Sequence, residues 1–494
     1  MSKNEQKSSY KKTALSGSVY VLVAQFIKIA LLFLSIIVLS RILTPEDFGL
    51  IACLTPIIAF ITLLQDLGLQ QAVIQRDKIS DEQINKVFWV LSAVGLFFAI
   101  SLCILSPAIA WFYHDDRLLL LTILTSIPLA ITSMASLPIS LLNRSMKFNN
   151  IAIIDITANL LGFIATVIGA LLGMSYWSLL LTPFFLAFTT LIGALWLSKW
   201  RPNRPQFKLD KDILHFGANL TGSNIINFFA RNLDNILIGR YEGVQPLGFY
   251  ERAYKLLMFP LSSINAPISK VIIPILSNIQ SDKERVRRIY LRVIGILTLI
   301  IVPGMAALII VPEDVVLLLF GEKWLAVAPI FFWLGMAGLV QPLANSTSWV
   351  FISQGLTKEM LRWNIFASST TIIAIIIGLN WGVVGVAMAY AINEYLVRLP
   401  VFFWYMGKIS PIKSLDFIRI QIPLLIAAII SFAITHYIFK NLMVLEGIIV
   451  IIAAVICSYS CAILISLMHK TGRNILSEAI KLGLDAIHKI IGKA

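Results

Sequence analysis

Eleven charged side chains of this chain lie within or at the edges of long apolar runs. Six are basic (Lys28, Arg231, Arg252, Lys255, Lys270, Arg398) and five acidic (Asp66, Asp155, Asp234, Glu251, Glu394). At the centre of a bilayer each costs roughly 2.5–3.5 kcal/mol, so such groups face an interior cavity or one another, and have a role. The densest set is Asn224, Asn227, Arg231 and Asp234, spaced three, four and three residues apart and extended by Thr221. On a 3.6-residue helix this is one polar stripe. It faces either an aqueous cavity or a neighbouring helix; in the second case Arg231 and Asp234 merely weld helices together. Gln25, Lys28 and Ser35 form a weaker stripe, Asp155 and Asn159 stand four apart, and Tyr390, Asn393, Glu394 and Arg398 lie on adjoining positions. A cavity with several Lys and Arg attracts anions, above all phosphate, for which arginine offers a forked donor set. The interspersed acids can pair with those cations or carry protons. Asp66, Glu251, Arg252 and Lys270 sit near the ends of their runs, where snorkelling to water is the alternative.

The elements that carry these residues are membrane helices. Hydrophobic residues make up 58% of the 494 residues and charged residues 13%, with a mean hydropathy of +0.85. Soluble domains carry about 25% charged residues, so the composition predicts an integral membrane protein. No long alternating segments suggest a β-barrel. A bilayer core needs about 20 apolar residues in helical form. Fourteen such spans are legible, near 17–39, 45–66, 87–112, 118–141, 151–172, 176–197, 213–238, 248–275, 293–311, 325–347, 363–379, 382–405, 420–439 and 446–468. Prolines inside many of them, among them Pro56, Pro107, Pro303, Pro342 and Pro400, predict kinked helices around an internal space.

With the N-terminus in the cytoplasm, 29 of the 40 Lys and Arg fall on cytoplasmic segments and five on outer loops. That bias orients the chain with both termini inside. It also accounts for the net charge of +14 without nucleic acid, since the basic side faces an anionic leaflet of membrane lipids. The first apolar run lacks a cleavage site, so insertion into an inner or plasma membrane is expected without removal of a leader. The tail from about 472 reads as an amphipathic helix on the inner surface, with fraying as the alternative.

No catalytic motif is present. There is no G-x-x-x-x-G-K-[ST] and no G-x-S-x-G or H-E-x-x-H in a loop, which points away from ATP hydrolysis and from an enzyme. No histidine has a ligand-like partner, no metal or other cofactor is expected, and the four cysteines lie in apolar runs as packed thiols.

One block occurs twice, 199 residues apart: Leu39-Ser40-Arg41 to Phe48-Gly49-Leu50-Ile51, and Ile238-Gly239-Arg240 to Leu247-Gly248-Phe249-Tyr250. Six spans separate the copies, so both start on the same side. The chain is therefore expected to be all-α, with two parallel six-helix lobes, 1–200 and 201–410, an added helix pair at 411–468, and a cytoplasmic tail at 469–494. The shared Arg41 and Arg240 either gate the outer boundary or are structural, and Arg41 lies five residues from Glu46, close enough for a loop ion pair.

The segment Leu39-Ser40-Arg41-Ile42-Leu43-Thr44-Pro45-Glu46-Asp47-Phe48-Gly49-Leu50 resembles the signature that follows the first helix of bacterial polysaccharide exporters of the Wzx type. The segments Arg231-Asn232-Leu233-Asp234-Asn235-Ile236-Leu237-Ile238-Gly239-Arg240 and Gly248-Phe249-Tyr250-Glu251-Arg252-Ala253-Tyr254-Lys255-Leu256 are similar to that family's mid-chain signature. The resemblance covers essentially the whole chain and points to the WzxC/TuaB-like branch of the MOP exporter superfamily, with its MATE-like fold. It implies a flippase for undecaprenyl-diphosphate-linked oligosaccharides, working by alternating access between two lobes, with a polysaccharide polymerase and export machinery as partners. On that reading Lys28, Arg231 and Arg398 contact the anionic group, with Lys255 beside them, and Gln25, Asn224, Asn227 and Asn393 are sugar or network partners. An H+ or Na+ gradient supplies the drive through Asp155, Asp234 or Glu394. A cation-coupled drug exporter of the same superfamily is the alternative, poorly matched to so many Lys and Arg. A membrane glycan polymerase is the more distant one, for which no sizeable outer loop is present.

Overall fold

The computed structural model describes residues 3–66, 73, 79–205, 232–441 and 447–491. Among them the chain is helical, without strands. Ten helices are long and apolar enough to cross a membrane, or up to twelve if each of two bent pairs is one span, so this is a multi-pass membrane protein. The described residues do not carry the number to fourteen, and the expected span at 213–238 lies largely outside them. The chain divides into two compact units, Met1–Gly248 and Phe249–Ala494.

In the first unit the helices are α1 (Lys3–Ile42), α2 (Pro45–Asp66), α3 (Asp81–Tyr113), α4 (Arg117–Arg144), α5 (Phe148–Leu171) and α6 (Ser178–Ser198). A further helix, α7, covers 232–241. Their ends are written in local chemistry. Ser80 and Gln83 form a reciprocal capping box at the start of α3, which occupies amide groups that a helix N-terminus leaves free. His114 closes α3 in the left-handed conformation, φ 57°. Hydroxyls inside the spans turn back on their own helix, as Thr122 does to the Leu118 carbonyl (2.6 Å) and Thr125 to the Leu121 carbonyl (2.6 Å). These hydroxyls are thereby not left open to hydrocarbon. Helix α3 packs on α4, α5 on α6, and α1 on α5.

The second unit starts within α8 (Val244–Asn278) and continues through α9 (Lys283–Ile310), α10 (Pro312–Leu319), α11 (Val327–Gly338), α12 (Gln341–Ser353), α13 (Thr357–Gly378) and α14 (Gly382–Asn393). It ends with α15 (Leu399–Ile409), α16 (Ser414–Asn441), α17 (Ile448–Met468) and α18 (Lys470–Ile491). Helix α9 is its core, packed on α11, α16 and α17, with Ile294, Val302 and Ala307 wholly buried. Two of the prolines sit beside breaks. Pro342 follows a 43° bend between α11 and α12. Pro400 follows a π turn over Glu394–Arg398. Proline brings no N–H and crowds the carbonyl four residues back, so the preceding turn bends or widens. The tail helix α18 folds onto the bundle: Ile475 rests on Gly295 and Arg292 pairs with Glu478 at 3.0 Å.

Candidate functional site

In the first unit the interior charges of α1 and α5 meet. Lys28 Nζ donates to Asp155 Oδ2 at 3.1 Å, and the two side chains are 35% and 39% exposed. A half-exposed ion pair within two spans, with Asp155 about two turns from the start of α5, marks a face turned to water or a polar ligand, because lipid would not solvate it. Asn159 does not join this pair; its amide donates to the Asp155 backbone carbonyl at 2.7 Å. Gln25 is exposed on α1.

The first copy of the repeat is a corner between α1 and α2. Asp47, almost fully buried, accepts from the Thr44 backbone N–H (2.8 Å) and hydroxyl (2.7 Å). Its other oxygen accepts from Ser175. Glu46 pairs with Arg117 at 2.6 Å, 71 residues away, and not with Arg41 as the short spacing suggested. Arg117 also grips Asp115. In the second copy Arg240 lies over the Phe112 ring, 5.6 Å from its centroid.

The glycines shared by the copies face each other's helices. A Cβ added to Gly49 would stand 1.8 Å from the Val244 carbonyl oxygen, and one added to Gly248 would stand 2.0 Å from the Pro45 carbonyl oxygen. Pro45 and Val244 are themselves 199 residues apart, so the first turns of α2 and α8 cross with the symmetry of the duplication. Only glycine lets two backbones approach this closely. The shared glycines are scaffold at this crossing.

In the second unit, Arg398 and Lys255 also have acids beside them. Arg398 binds Glu394 within the π turn; the glutamate is 3% exposed and the arginine 17%. Lys255 binds Glu251, four residues before it. Arg252, read from sequence as a candidate for snorkelling, is instead buried, with its guanidinium 5.8 Å from the centroid of the Trp324 ring. Asn393, next to Glu394 in the chain, is buried, and among the described residues its amide nitrogen has no hydrogen-bond partner. Asp234 bonds the Asn235 backbone N–H. Asn224, Asn227 and Arg231 lie outside the described residues.

Three polar residues of this region escaped the sequence reading. Tyr395 donates to the Met336 carbonyl (2.8 Å) and Gln421 to the Leu339 carbonyl (2.8 Å), both at the break between α11 and α12. Gln341 donates to the Tyr390 hydroxyl at 3.0 Å. A broken span frees carbonyls that membrane proteins satisfy with side chains from neighbouring helices. The legible signal was Gln341-Pro342 in an otherwise apolar run. Among the described residues no cluster of His, Cys, Asp or Glu has the arrangement of a metal site.

Comparison with known proteins agrees with this architecture. The chain resembles the lipid II flippase MurJ in an inward closed conformation, with a TM-score of 0.71 over 92% of this chain and 98% of that one, at 13% identity. It also resembles an inward-facing multidrug resistance MATE family transporter of the MOP superfamily (TM-score 0.59, 79% and 98% covered, 15% identity). Likeness at such identities is a likeness of fold. In sequence it is 26% identical to the lipopolysaccharide biosynthesis protein WzxC of Escherichia coli (strain K12), over 80% of this chain and 81% of the relative. It is 28% identical to the teichuronic acid biosynthesis protein TuaB of Bacillus subtilis (strain 168), over 62% and 64%, and 25% identical to the succinoglycan biosynthesis transport protein ExoT of Rhizobium meliloti (strain 1021), over 83% and 83%. The family described as polysaccharide biosynthesis protein matches residues 38–329, a stretch that takes in both copies of the repeat and more than half of the sequence. The chain therefore belongs to the polysaccharide biosynthesis protein family.

Proposed function

We propose that this protein is a flippase that carries a lipid-linked oligosaccharide, bound through a diphosphate to a polyprenyl chain, across the bacterial cytoplasmic membrane for synthesis of an extracellular polysaccharide. The observation that carries the reading is a half-exposed Lys28–Asp155 pair held between two spans in a fold like that of a lipid II flippase. The relatives are named for lipopolysaccharide, teichuronic acid and succinoglycan. Those polymers differ in their sugars, so what the relatives share is better sought in the carrier lipid than in the glycan.

On this reading the chain is a transporter and not an enzyme. Its termini are cytoplasmic, in keeping with the excess of Lys and Arg on that side. Lys28, Arg231, Arg398 and Lys255 serve the diphosphate, and Gln25, Asn224, Asn227 and Asn393 the sugar hydroxyls. Asp155, Asp234 or Glu394 couples movement to H+ or Na+. A polymerase and export machinery take up the product. Substrate has to displace the acids already paired with Lys28, Lys255 and Arg398, which suits alternating access, since a site neutral in both end states crosses the membrane interior at less cost.

Deletion of the gene tests the reading. The expected outcome is loss of one surface polysaccharide with accumulation of its lipid-linked repeat unit on the cytoplasmic leaflet, protected from an externally added glycan-oxidising reagent. Normal polysaccharide with no accumulated lipid intermediate would sink it.

A further inference from the structure

The ion pair that joins α1 to α5 has room for a third party. Among the described residues Lys28 makes a single hydrogen bond, which leaves two of its three N–H donors unused there, and Asp155 accepts from a side chain through one oxygen only. Both side chains are more than a third exposed. Two pairs within spans of the second unit are built otherwise: Glu394 and Arg398, like Glu251 and Lys255, stand four residues apart on one helical segment. A partner on the same helix is always within reach; a partner on another helix can be exchanged.

The surroundings of Asp155 make such an exchange consequential. Helix α5 packs on α1, α4, α6 and the short turn Ser175–Trp177. Helix α6 has no ionisable side chain, α4 has them only at its ends, Arg117 and Arg144, the turn offers Tyr176 at its own end of the bundle, and α5 itself has only Asp155. Among the described side chains Lys28 is the one charge that faces Asp155 at this depth. Taking Lys28 away leaves a carboxylate in the span with nothing to balance it, the arrangement that membrane interiors penalise most.

We propose that Lys28 exchanges Asp155 for a phosphate oxygen of an isoprenoid diphosphate, and that the released Asp155 takes a proton from the aqueous phase. Diphosphate on Lys28 and charge on Asp155 thus exclude each other. This rests on the function proposed above and supplies its coupling step. One anionic oxygen arrives on Lys28 and one proton on Asp155, so the net charge of the Lys28–Asp155 site is unchanged for that oxygen. Linkage is reciprocal, so protons favour loading and loading favours proton uptake. With one proton taken up per diphosphate bound, affinity falls about tenfold for each pH unit of rise.

The test uses the full chain in nanodiscs and farnesyl diphosphate as the probe, with binding heats measured in buffers of different ionisation enthalpy between pH 6 and 8. The wild type is expected to take up about one proton more per bound diphosphate than the Asp155→Asn variant. Subtracting the variant removes any protonation of the diphosphate itself. Asp155→Asn is expected to bind with an affinity that no longer carries this one-proton dependence. The double variant Lys28→Met/Asp155→Leu, neutral at both positions, is expected to bind more than tenfold more weakly with no extra proton. Equal proton uptake by wild type and Asp155→Asn overturns the exchange while leaving the transport reading intact. A wild type that binds no isoprenoid diphosphate overturns both.

Discussion

The two copies of the Arg…Gly block turn the same corner by different means. In the first, Thr44 and Asp47 bond each other's backbone and side chain to start α2. In the second, the equivalent positions are Gly243 and Pro246, and the corner is a glycine at φ +96° whose carbonyl accepts from the Leu247 N–H at 3.3 Å. Arg240 stacks on Phe112, while the acid beside the first corner, Glu46, has gone to Arg117. What neither copy changes is the glycine at the crossing. Duplicated segments share what their mutual contact demands, and each is free to cap its helix with whatever its own surroundings offer.

The sharpest way to break that comparison is to crowd the crossing. Gly49→Ala and Gly248→Ala each set a methyl about where a backbone carbonyl oxygen now is, at 1.8 and 2.0 Å from it. Backbone cannot step aside as a flexible side chain can. Each substitution is expected to cost about 3 kcal/mol, the upper part of the range for overpacking. Loss of folded, monodisperse protein in detergent would report it. The two effects should be alike, since the contacts are reciprocal. If one glycine accepts alanine without a fall in thermal midpoint, the crossing is not the shared constraint.

A smaller effect separates the copies. Asp47→Ala removes the reciprocal half of the α2 cap, the bonds from the Thr44 N–H and hydroxyl, and the acceptor of Ser175 together, and about 1–2 kcal/mol is expected to go with them. Pro246→Ala, at the matching position, touches no such bonds and should stay within about 0.5 kcal/mol. Thermal unfolding of the two variants side by side checks this. Similar losses would mean that the second corner depends on its proline as the first depends on its aspartate.

The sequence was a good guide to elements and a poor one to partners. Apolar runs report where helices cross because hydrocarbon leaves the backbone no other choice. The repeat spacing carried Gly49 and Gly248 to the same turn of two helices. Charge placement was legible as well: Lys28, Asp155, Glu394 and Arg398 were all picked out as residues with a reason to be there. Which acid would meet which base was not. Lys28 and Asp155 are 127 residues apart and become neighbours only because α1 packs on α5. Glu46 had Arg41 five residues away and took Arg117 instead, since the corner turns its side chain towards the loop after α3. Arg252 looked like an end-of-helix anchor until Trp324 was placed against it. The carbonyls freed at the α11–α12 break, with Tyr395 and Gln421 upon them, follow from a bend that Pro342 permits but whose partners no local pattern names.

The finest distinction between the copies is electrostatic. The position matching Glu46 is Gln245, so the charged cluster with Arg117 and Asp115 belongs to the first corner alone. Hydrogen bonds from the Arg117 guanidinium hold the Asp115 carboxyl below the ordinary aspartate range, against the opposing effect of its partial burial. A depressed folded-state value means that the unfolded chain binds the proton more readily. The stabilisation is then complete above the ordinary value, about pH 4, and is lost as pH falls through it towards the folded-state value. Arg117 is 39% exposed, and solvent screening keeps the contribution below about 1 kcal/mol. Asp115→Asn is accordingly expected to lower the thermal midpoint slightly at pH 7, with the gap to wild type closing as the pH is taken below about 4. A gap that stays constant across that interval would show that Asp115 acts by shape rather than charge, and would leave the two corners electrostatically equivalent.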